Sequence, residues 1–532
     1  MKAKKFATKT AISTLLVAAI GLTPALVACS GDKYDKVDFA AQDTSYVVTS
    51  QGGNAVGYGN YIYFINGTRG YDDTDGNANV WGNVVKGALY RAELNGSKVG
   101  SAPATFEPAV DGEAVEFKYT DGTDYFDAPT KDVFVTSIAP KTVGTTGYNR
   151  GGLFIYDNYA YFASPNNSKD KMGNVQTSRT DFFMMPLSGG KPTKIYTTTE
   201  GVDTSSSAYA FYKYGGKVYL VVNEGSSIIS IGVNVAKEKT DDPVKYDVGA
   251  TSVYFPVRDE YYNGISTDTP EDFIYYVREA DDDKGEPKTG TVIEGMRPDG
   301  SEQFNLSMNG NTETIEAVRD GVVFIRSTDS VSSSTYMTYT NLHDVLMEKS
   351  PSYKKAQDAK GSDANVNVAG KFDSAISSSV TATYVMRPDA LSNTVYYIGV
   401  AGSSMRLYKQ DGSFETIADV TGTIQFVYNN YVYYAGSSND YYRVPLWSNL
   451  DGYGEAQKLA ENTTTSGAPC DYVDGYFTYY AEVDQWANAY THFYKVDGPA
   501  GAEPLFVGKR ASSDIPTADQ IKEAKGETDD EA

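Results

Sequence analysis

Short apolar runs separated by clusters of Gly, Asn, Asp and Ser recur along most of this chain. Residues 422–460 show the pattern most clearly, with the sequence GTIQFVYNNYVYYAGSSNDYYRVPLWSNLDGYGEAQKLA. They predict four strands, at 423–428, 431–435, 441–446 and 456–459. Tyr, Val, Ile and Phe favour a half-buried pleated surface, and the polar clusters limit each run to strand length. One such sheet leaves its faces uncovered, so it requires neighbours like itself.

The same four-strand unit recurs eight times. Its second strands are predicted at 61–64, 159–162, 217–222, 273–277, 322–325, 395–400, 431–436 and 476–481. Most third strands end in Asn-Gly, Gly-Gly or Asp-Gly, which is a strong hairpin signal. Recurring units of this kind are typical of a β-propeller. We therefore predict an all-β fold, a single propeller of about eight four-stranded blades over residues 44–510, with seven blades or a pair of β-sandwiches as alternatives.

The hairpins share a sequence motif as well as a regular spacing. An aromatic Tyr-Tyr strand precedes a Leu-Tyr-Arg or Phe-Tyr-Lys strand, which often ends in Asp-Gly. This pattern resembles the low-density-lipoprotein-receptor-like propellers that are common in bacterial lipoproteins, and it extends over residues 44–509. The Tyr-Trp-Thr-Asp box of the animal family is absent, so the resemblance implies a propeller fold but no receptor function.

Residues 1–28 have the composition of an export signal. Lysines precede an apolar run at 15–20, which is too short to span a membrane. The segment ends in Leu-Val-Ala followed by Cys29, which resembles the bacterial lipobox. The resemblance implies a lipoprotein signal peptide, cleavage before Cys29, a diacylglyceryl group on its thiol, and attachment to the outer side of a bacterial membrane. An ordinary secretory leader is the alternative, and residues 29–43 are predicted to form a tether.

The negative charge of the chain limits the classes of partner that it is expected to bind. The formal net charge is −23, and removal of the lysines in residues 1–28 makes the remainder more negative. This charge argues against nucleic acid and against docking on anionic lipid. Residues 511–532 are acidic and lack aromatics, which predicts a disordered tail. Cys470 is the only cysteine besides Cys29. Because Cys29 is expected to be lipidated, we expect no intrachain disulfide and a buried thiol at Cys470.

The spacing of the units predicts an asymmetric molecule. In a blade, the loops between strands two and three and the loops to the next blade lie on one face, here called the first face. The other turns lie on the opposite, second face. We expect six long segments on the first face: 66–87, 164–180, 278–290, 482–490, 100–147 and 343–381. Residues 260–272 are the expected exception on the second face. Loops elaborated on one side usually carry the binding site; neutral insertion drift is the alternative.

Exposed aromatics in these insertions predict a ligand platform. Aromatic side chains flanked by Asp, Asn and Gln are surfaces on which sugar rings or peptide side chains stack. The predicted platform residues are Tyr71, Trp81, Trp486, Tyr490, Asn166, Asp170 and Gln485. Packing of each aromatic within its own loop is the alternative. Units one, two and eight become neighbours when the ring closes, so three insertions should converge.

Support for a metal site is limited, and we predict no catalytic residue. Asp73, Asp75 and Asn77 offer hard oxygen ligands at alternating positions, as at the start of a calcium loop. Counted from Asp73, the twelfth position of the loop is Val84 rather than the Glu that closes a calcium loop, so a plain polar loop is the alternative. Calcium is the one candidate cofactor. The chain has only two histidines, for which we expect a structural role at His492 and a solvated loop position at His343.

These features predict a lipid-anchored, extracytoplasmic propeller that binds or scaffolds a glycan, peptide or protein partner at the cell envelope. A polysaccharide-acting hydrolase or lyase and a purely structural envelope component are the alternatives. An enzyme should show a cluster of carboxylates with strongly shifted pKa values in the central channel. We also expect one closed ring with residues 44–49 near the last unit, 470–508, because pairing the two termini in one blade removes open edges.

Overall fold

A computed structural model contains eight antiparallel sheets arranged as the blades of a β-propeller, each built on four strands, with additional strands on the sheets of blades 1 and 3. The structure describes residues 47–506 except 54, 60, 66–79, 82–83, 86–88, 96–104, 107–152, 166–178, 189–191, 200–208, 238, 257, 259, 263–267, 282–286, 361–368, 378, 388–393, 437–439, 447–453, 461–470, 483–488 and 497–504. The predicted tether (29–43) and tail (511–532) lie outside these residues. No helix in the described part is long and apolar enough to cross a membrane.

Blades 1 to 4 contain the first half of the strands. Blade 1 contains β1 (Val47–Thr49), β2 (Ala55–Tyr58), β3 (Tyr61–Ile65), β6 (Leu89–Asn95) and β7 (Thr105–Phe106), with a separate hairpin β4 (Val80–Trp81) and β5 (Val84–Val85). Blade 2 contains β8 (Phe154–Tyr156), β9 (Tyr159–Pro165), β10 (Thr180–Pro186) and β11 (Thr193–Thr197). Blade 3 contains β12 (Tyr209–Tyr214), β13 (Lys217–Glu224), β14 (Ser227–Asn234), β15 (Lys239–Thr240) and β16 (Val244–Tyr246), with a 3₁₀ helix at Val235–Lys237. Blade 4 contains β17 (Ala250–Tyr254), β19 (Ile274–Asp281), β20 (Pro287–Met296) and β21 (Phe304–Ser307), and its insertion holds β18 (Glu260–Tyr262) and a 3₁₀ helix at Pro270–Asp272.

Blades 5 to 8 follow the same plan. Blade 5 contains β22 (Thr312–Arg319), β23 (Val322–Thr328), β24 (Thr335–Asn341) and β25 (Ala369–Lys371), with helices α1 (Leu342–Lys349) and α2 (Pro351–Lys360) between the last two. Blade 6 contains β26 (Val380–Met386), β27 (Tyr396–Ala401), β28 (Ser404–Tyr408) and β29 (Phe414–Ala418). Blade 7 contains β30 (Thr423–Tyr428), β31 (Tyr431–Ala435), β32 (Tyr441–Pro445) and β33 (Gln457–Ala460). Blade 8 contains β34 (Asp471–Val473), β35 (Tyr476–Glu482), β36 (Ala489–Lys495) and β37 (Leu505–Phe506). The prediction of eight blades is confirmed.

Tight turns set the register of the blades. The turn between β30 and β31 has positive φ at both of its residues, 48° at Asn429 and 63° at Asn430. Asp157 and Asn158 repeat this geometry between β8 and β9, with φ of 53° and 65°. Two consecutive residues with positive φ define a type I′ turn, whose twist matches that of the strands that it joins. The Asn and Asp residues of the sequence therefore fix the hairpins locally.

Aromatic side chains fill the spaces between blades. The rings of Phe154 in blade 2 and Phe211 in blade 3 lie 5.4 Å apart. Tyrosines near the ends of the first strands reach across to the next blade: the Tyr156 hydroxyl donates to the Phe211 carbonyl (2.8 Å), and the Tyr212 hydroxyl donates to the Pro256 carbonyl (2.9 Å). The hydroxyl of a tyrosine is thus satisfied while its ring is buried. These bonds tie the inner ends of blades 2, 3 and 4 together.

The ring closes between blades 1 and 8, but not in the predicted way. β1 pairs with β2 and β18, so it belongs to blade 1 rather than to blade 8. The expected proximity is present, because the Thr49 hydroxyl donates to the Asp474 carboxylate (3.1 Å) of blade 8. The pairing of both termini in one blade was therefore wrong. The physical reason is that β2 and β18 together cover both edges of β1, which leaves none for blade 8.

β1 and the residues after it occupy the inner edge of several blades. Gln51 is buried, and its amide both donates to the Ile155 carbonyl (2.6 Å) and accepts from the Ile155 amide (2.8 Å) of blade 2. β18 reaches β1 from the insertion of blade 4, three blades away in the ring. The axial segment, defined here as Val47–Gly53, therefore joins blades 1, 2, 4 and 8 in the described structure.

One of the six insertions lies on the face opposite to the predicted one. Residues 343–381 were expected to connect two blades, but α1 and α2 stand between β24 and β25, the third and fourth strands of blade 5. Connections of that type belong to the second face. β25 is only three exposed residues long, Ala-Gly-Lys, and carries no apolar pattern that would mark a strand. The second face is thus more elaborate than the sequence indicated.

Candidate functional site

The structure places two of the seven predicted platform residues. Trp81 lies in β4, where it pairs with Val84 of β5, and Tyr490 is the second residue of β36, opposite Ala481. The remaining predicted residues lie outside the described ones: Tyr71, Asn166, Asp170, Gln485 and Trp486, together with Asp73, Asp75 and Asn77 of the calcium loop and the lipidation site Cys29. The strands that carry the insertions of blades 1 and 8 are described.

The strands that carry these two insertions meet on the first face. Ile65 is the last residue of β3 before the insertion of blade 1, and Thr491 follows Tyr490 in β36. The Thr491 hydroxyl donates to the Ile65 carbonyl (2.7 Å), and both groups are buried. Further into the blades, the rings of Phe64 and Phe493 meet edge to face with centroids 4.9 Å apart. The insertions that carry Trp81 and Trp486 therefore start from adjoining, hydrogen-bonded strand ends.

Buried carboxylates elsewhere on the first face are fully engaged with the protein. Glu313, at 1% exposure near the start of β22, accepts hydrogen bonds from Ser307 (2.6 Å), Asn309 (2.8 Å) and Ser327 (3.1 Å). Glu224, at the end of β13, accepts from the Tyr196 hydroxyl at 2.8 Å. A buried carboxylate with several donors is stabilised in place. These groups fix strand ends at the rim of the first face.

The described residues contain no group of three or more His, Cys, Asp or Glu side chains that could hold a metal ion. The calcium loop thus stays a prediction about residues that are not described. His492 is buried and stacks on Tyr479, with ring centroids 5.4 Å apart. His343 was expected in a solvated loop, but it lies in the first turn of α1 with Nδ1 3.0 Å from the Tyr353 hydroxyl. The two helices pack on each other and hold it there.

The second face carries an assembly of which the sequence predicted only one part, the insertion at 260–272. It consists of the blade 4 insertion, the turn between β20 and β21, and α1 and α2. The Gln357 amide of α2 donates to the Asp268 carbonyl (2.6 Å) of the insertion. The Glu271 carboxylate of the insertion accepts from the Gly321 amide (3.2 Å) in the first turn of blade 5. Contacts between three connections therefore hold the helices against the ring.

Arg297 lies at the centre of this second-face assembly and is 0% exposed. Its guanidinium donates to the Ser352 hydroxyl (2.6 and 3.0 Å) and lies 3.2 Å from Asp268 and 3.3 Å from Glu302. The ring of Phe273 lies below it, with the guanidinium carbon 3.8 Å from the ring centroid. A buried arginine requires such partners, since an isolated buried charge is costly. The only sequence signal was the turn Arg-Pro-Asp-Gly, which also occurs in ordinary hairpins.

The carboxylates around Arg297 differ in their pKa values. Burial raises the pKa of Asp268, although Arg297 acts against this shift. Burial also acts to raise the pKa of Glu302, but hydrogen bonds from Ser350 and Ser352 and the Arg297 charge outweigh it, and the pKa is lowered. Asp272, which pairs with Arg258, has a pKa that burial raises. Each of these acids faces an arginine that holds the insertion in place.

No protein-family model matches the chain, and no curated protein sequence matches it. Similar solved structures include the Dos1 propeller, at 8% identity over 90% of this chain and 97% of that chain, with a TM-score of 0.36. The propeller domain of the Trilobed protease from Pyrococcus furiosus is 10% identical over 81% of this chain and 99% of that chain, with a TM-score of 0.33. Oligogalacturonate lyase in complex with manganese is 8% identical over 88% and 96%, with a TM-score of 0.31. At such values the likenesses carry no argument about function.

Proposed function

We propose that this chain is a lipid-anchored, extracytoplasmic propeller that binds or scaffolds a glycan, peptide or protein partner through the first-face insertions of blades 8 and 1. The signal segment and the lipobox resemblance of residues 1–29 support the anchor. The sequence motif shared by the hairpins supports a relationship to the propellers of bacterial lipoproteins. The observation that carries the binding site is the buried bond between Thr491 and the Ile65 carbonyl.

That bond matters because it acts at the base of two insertions that are far apart in sequence. The sequence separation of the two residues is 426, yet their strands are fixed against each other in the core. Loops on a rigid scaffold lose less conformational freedom when they bind a ligand than loops that must first be ordered relative to one another. Trp81 and Trp486 on these insertions then supply the aromatic surface for stacking.

The test of the site uses the acyl-free chain, which begins at residue 30 and lacks Cys29, and a defined panel of peptidoglycan fragments, neutral and acidic polysaccharides, and extended peptides. Trp81→Ala combined with Trp486→Ala should weaken binding by about 2 kcal/mol or more, which is about thirtyfold in Kd. The melting temperature should change little, because these residues lie in insertions and not between blades. Phe414→Ala is the matched control, since Phe414 is an aromatic residue of the outer strand β29 that is 48% exposed.

The proposed site is wrong if the double variant binds the panel as the unmodified chain does, or if it unfolds while Phe414→Ala does not. The anchor has its own test. Cys29→Ser should move the protein from the membrane fraction to the soluble fraction or leave residues 1–28 uncleaved. A mature chain whose Cys29 thiol is unmodified by mass spectrometry would contradict the anchor without affecting the binding site.

A further inference from the structure

Two tyrosine rings lie face to face between the inner strands of blades 7 and 8. Tyr428 is the last residue of β30 and Tyr472 is the middle residue of β34. Their ring centroids are 4.2 Å apart, with an angle of 26° between the planes. Burial raises the pKa of Tyr472, and hydrogen bonding with the Tyr428 hydroxyl raises it further. The two hydroxyls therefore lie at the same end of the stack, and so do the ring carbons beside them.

Hydrogen bonds of the backbone hold both rings in place. The turn that follows β30 is closed by the Leu446 amide, which donates to the Asn430 carbonyl (2.8 Å). The carbonyl of Tyr472 accepts a hydrogen bond from the Ser50 hydroxyl of the axial segment. Because both strands are anchored in this way, the two rings stay in contact. Groups that are held in contact react far faster than groups that must first meet by diffusion.

Exposure distinguishes this pair from the other stacked tyrosines of the described structure. Tyr428 is 38% exposed, so a reagent in the solvent can reach its ring. The centroids of Tyr397 and Tyr408 are 4.5 Å apart, but these rings are only 1% and 9% exposed. The centroids of Tyr434 and Tyr442 are 5.4 Å apart, and Tyr434 is buried. Among the three pairs, only the first combines the closest ring contact with an exposed member.

We propose that Tyr428 and Tyr472 are an oxidative modification site, at which a peroxidase acting with hydrogen peroxide joins blades 7 and 8 through a dityrosine bond. Each phenol gives up one electron and its hydroxyl proton. A carbon–carbon bond then forms between the ring carbons beside the two hydroxyls, and the hydrogens displaced from these carbons move to the phenol oxygens. The electrons and protons released by the pair reduce one molecule of hydrogen peroxide to two of water.

This bond supplies a covalent tie that the cysteines of the chain do not provide. Cys29 is the expected lipidation site, which leaves Cys470 without a partner for an intrachain disulfide. A link between residues 428 and 472 closes the intervening chain into a loop and restricts the unfolded state, as a disulfide does. The cross-linked propeller should therefore resist the separation of blade 8 from blade 7. The reaction requires neither the lipid anchor nor the first-face insertions.

The experiment treats the acyl-free chain with peroxidase and hydrogen peroxide at a protein concentration low enough to keep the chains apart. Cys470→Ser removes a thiol that would compete for the oxidant. Trypsin places the two tyrosines in different peptides, 410–443 and 459–495. Mass spectrometry should show that the main tyrosine–tyrosine product joins these peptides with the loss of two hydrogen atoms, and fragmentation should assign the bond to Tyr428 and Tyr472. An equal yield at the buried pairs, or no bond between these peptides, would overturn the proposal.

Two variants of this parent chain assign the site. Tyr428→Phe keeps the stacked ring but lacks the phenol, so the product that joins the two peptides should be lost. Tyr434→Phe is the matched control, because it makes the same change in a buried pair of the same blade, and it should leave the yield unchanged. Persistence of the product in Tyr428→Phe would overturn the assignment.

Urea unfolding tests the tie between the blades. Oxidation should raise the urea midpoint of the parent chain but not that of Tyr428→Phe, because only the parent chain can form the cross-link. An equal change of midpoint in the two chains would refute the tie.

Discussion

Replacement of Arg297 tests whether the second-face assembly is held as the structure indicates. Arg297→Met keeps an unbranched apolar stem over the ring of Phe273 and removes only the guanidinium. Ser352 then loses its donor at 2.6 Å, and the carboxylates of Asp268 and Glu302 lose the cation that lies 3.2 and 3.3 Å away. The variant therefore leaves two acids near each other in a largely buried site.

The magnitude follows from burial. Removal of one partner from a buried ion pair costs about 3–5 kcal/mol, because the remaining charge is left uncompensated. Glu302 still accepts from the Ser352 amide (2.9 Å) and hydroxyl (2.7 Å), and its side chain is 17% exposed, so the lower end of the range applies. About 3 kcal/mol corresponds to an opening equilibrium for the helices that is about a hundredfold larger.

Hydrogen exchange measured by mass spectrometry is the appropriate assay, because it reports the opening of α1 and α2 separately from that of the blades. Protection of amides in 342–360 should fall about a hundredfold, while peptides from β31 and β35 should keep their protection. Arg278→Met is the matched control. Arg278 is 22% exposed and pairs with Asp281 and Glu294 at 2.9 Å, so its loss should cost less than about 1 kcal/mol.

Two results would refute this reasoning. A loss of protection in 342–360 no larger than in Arg278→Met would show that the guanidinium does not hold the helices. An equal loss of protection in all eight blades would show that the assembly is not a separate unit but part of the global core.

Three further predictions concern the ring and its pH dependence. Gly57→Ala should destabilise the seam between blades 1 and 8 by about 1–3 kcal/mol in urea, since the new Cβ would collide with the Asp474 carboxylate. Tyr212→Phe should cost about 1 kcal/mol, because the Pro256 carbonyl loses its donor. Hydrogen bonds from Ser350 and Ser352 hold the pKa of Glu302 in the folded chain below the ordinary 4.5, although burial acts to raise it. The ionised carboxylate therefore stabilises the helices above pH 4.5, and this stabilisation is lost as the pH falls through the folded-state pKa. Glu302→Gln should therefore flatten the loss of exchange protection of 342–360 in acid.

Each of these has a result that would contradict it. Gly57→Ala is contradicted by an unchanged urea midpoint, and Tyr212→Phe by a loss no larger than that of Phe414→Ala. The pH argument fails if the protection factors of residues 342–360, corrected for the intrinsic pH dependence of amide exchange, do not fall as the pH drops through the folded-state pKa of Glu302, since Asp268 alone would act in the opposite direction.

The blades could be predicted from the sequence because their strands and turns are specified by residues that are close together in the chain. The eight second strands were identified from aromatic and β-branched runs, and each coincides with a second strand of a blade. Asn429-Asn430 and Asp157-Asn158 adopt the positive φ values that type I′ turns require. The contact between β3 and β36, at the base of the predicted platform, follows from ring closure by the same reasoning.

The second face could not be predicted in this way. The Ala-Gly-Lys strand β25 has no apolar period, so residues 343–381 were assigned to the wrong face and their two helices were not predicted. The pairing of β1 with β18 depends on two segments that meet only when blades 1 and 4 stand in one ring. Neither segment carries a local signal for the other.

Sequence by itself therefore determined the repeat, the turns and the number of blades, because each depends on contacts between residues within a few positions of one another. The tertiary structure alone decided the place of β1, the face on which α1 and α2 lie, and the buried surroundings of Arg297. These depend on which edges and charges remain uncovered after the ring has closed, and that is a property of the whole molecule.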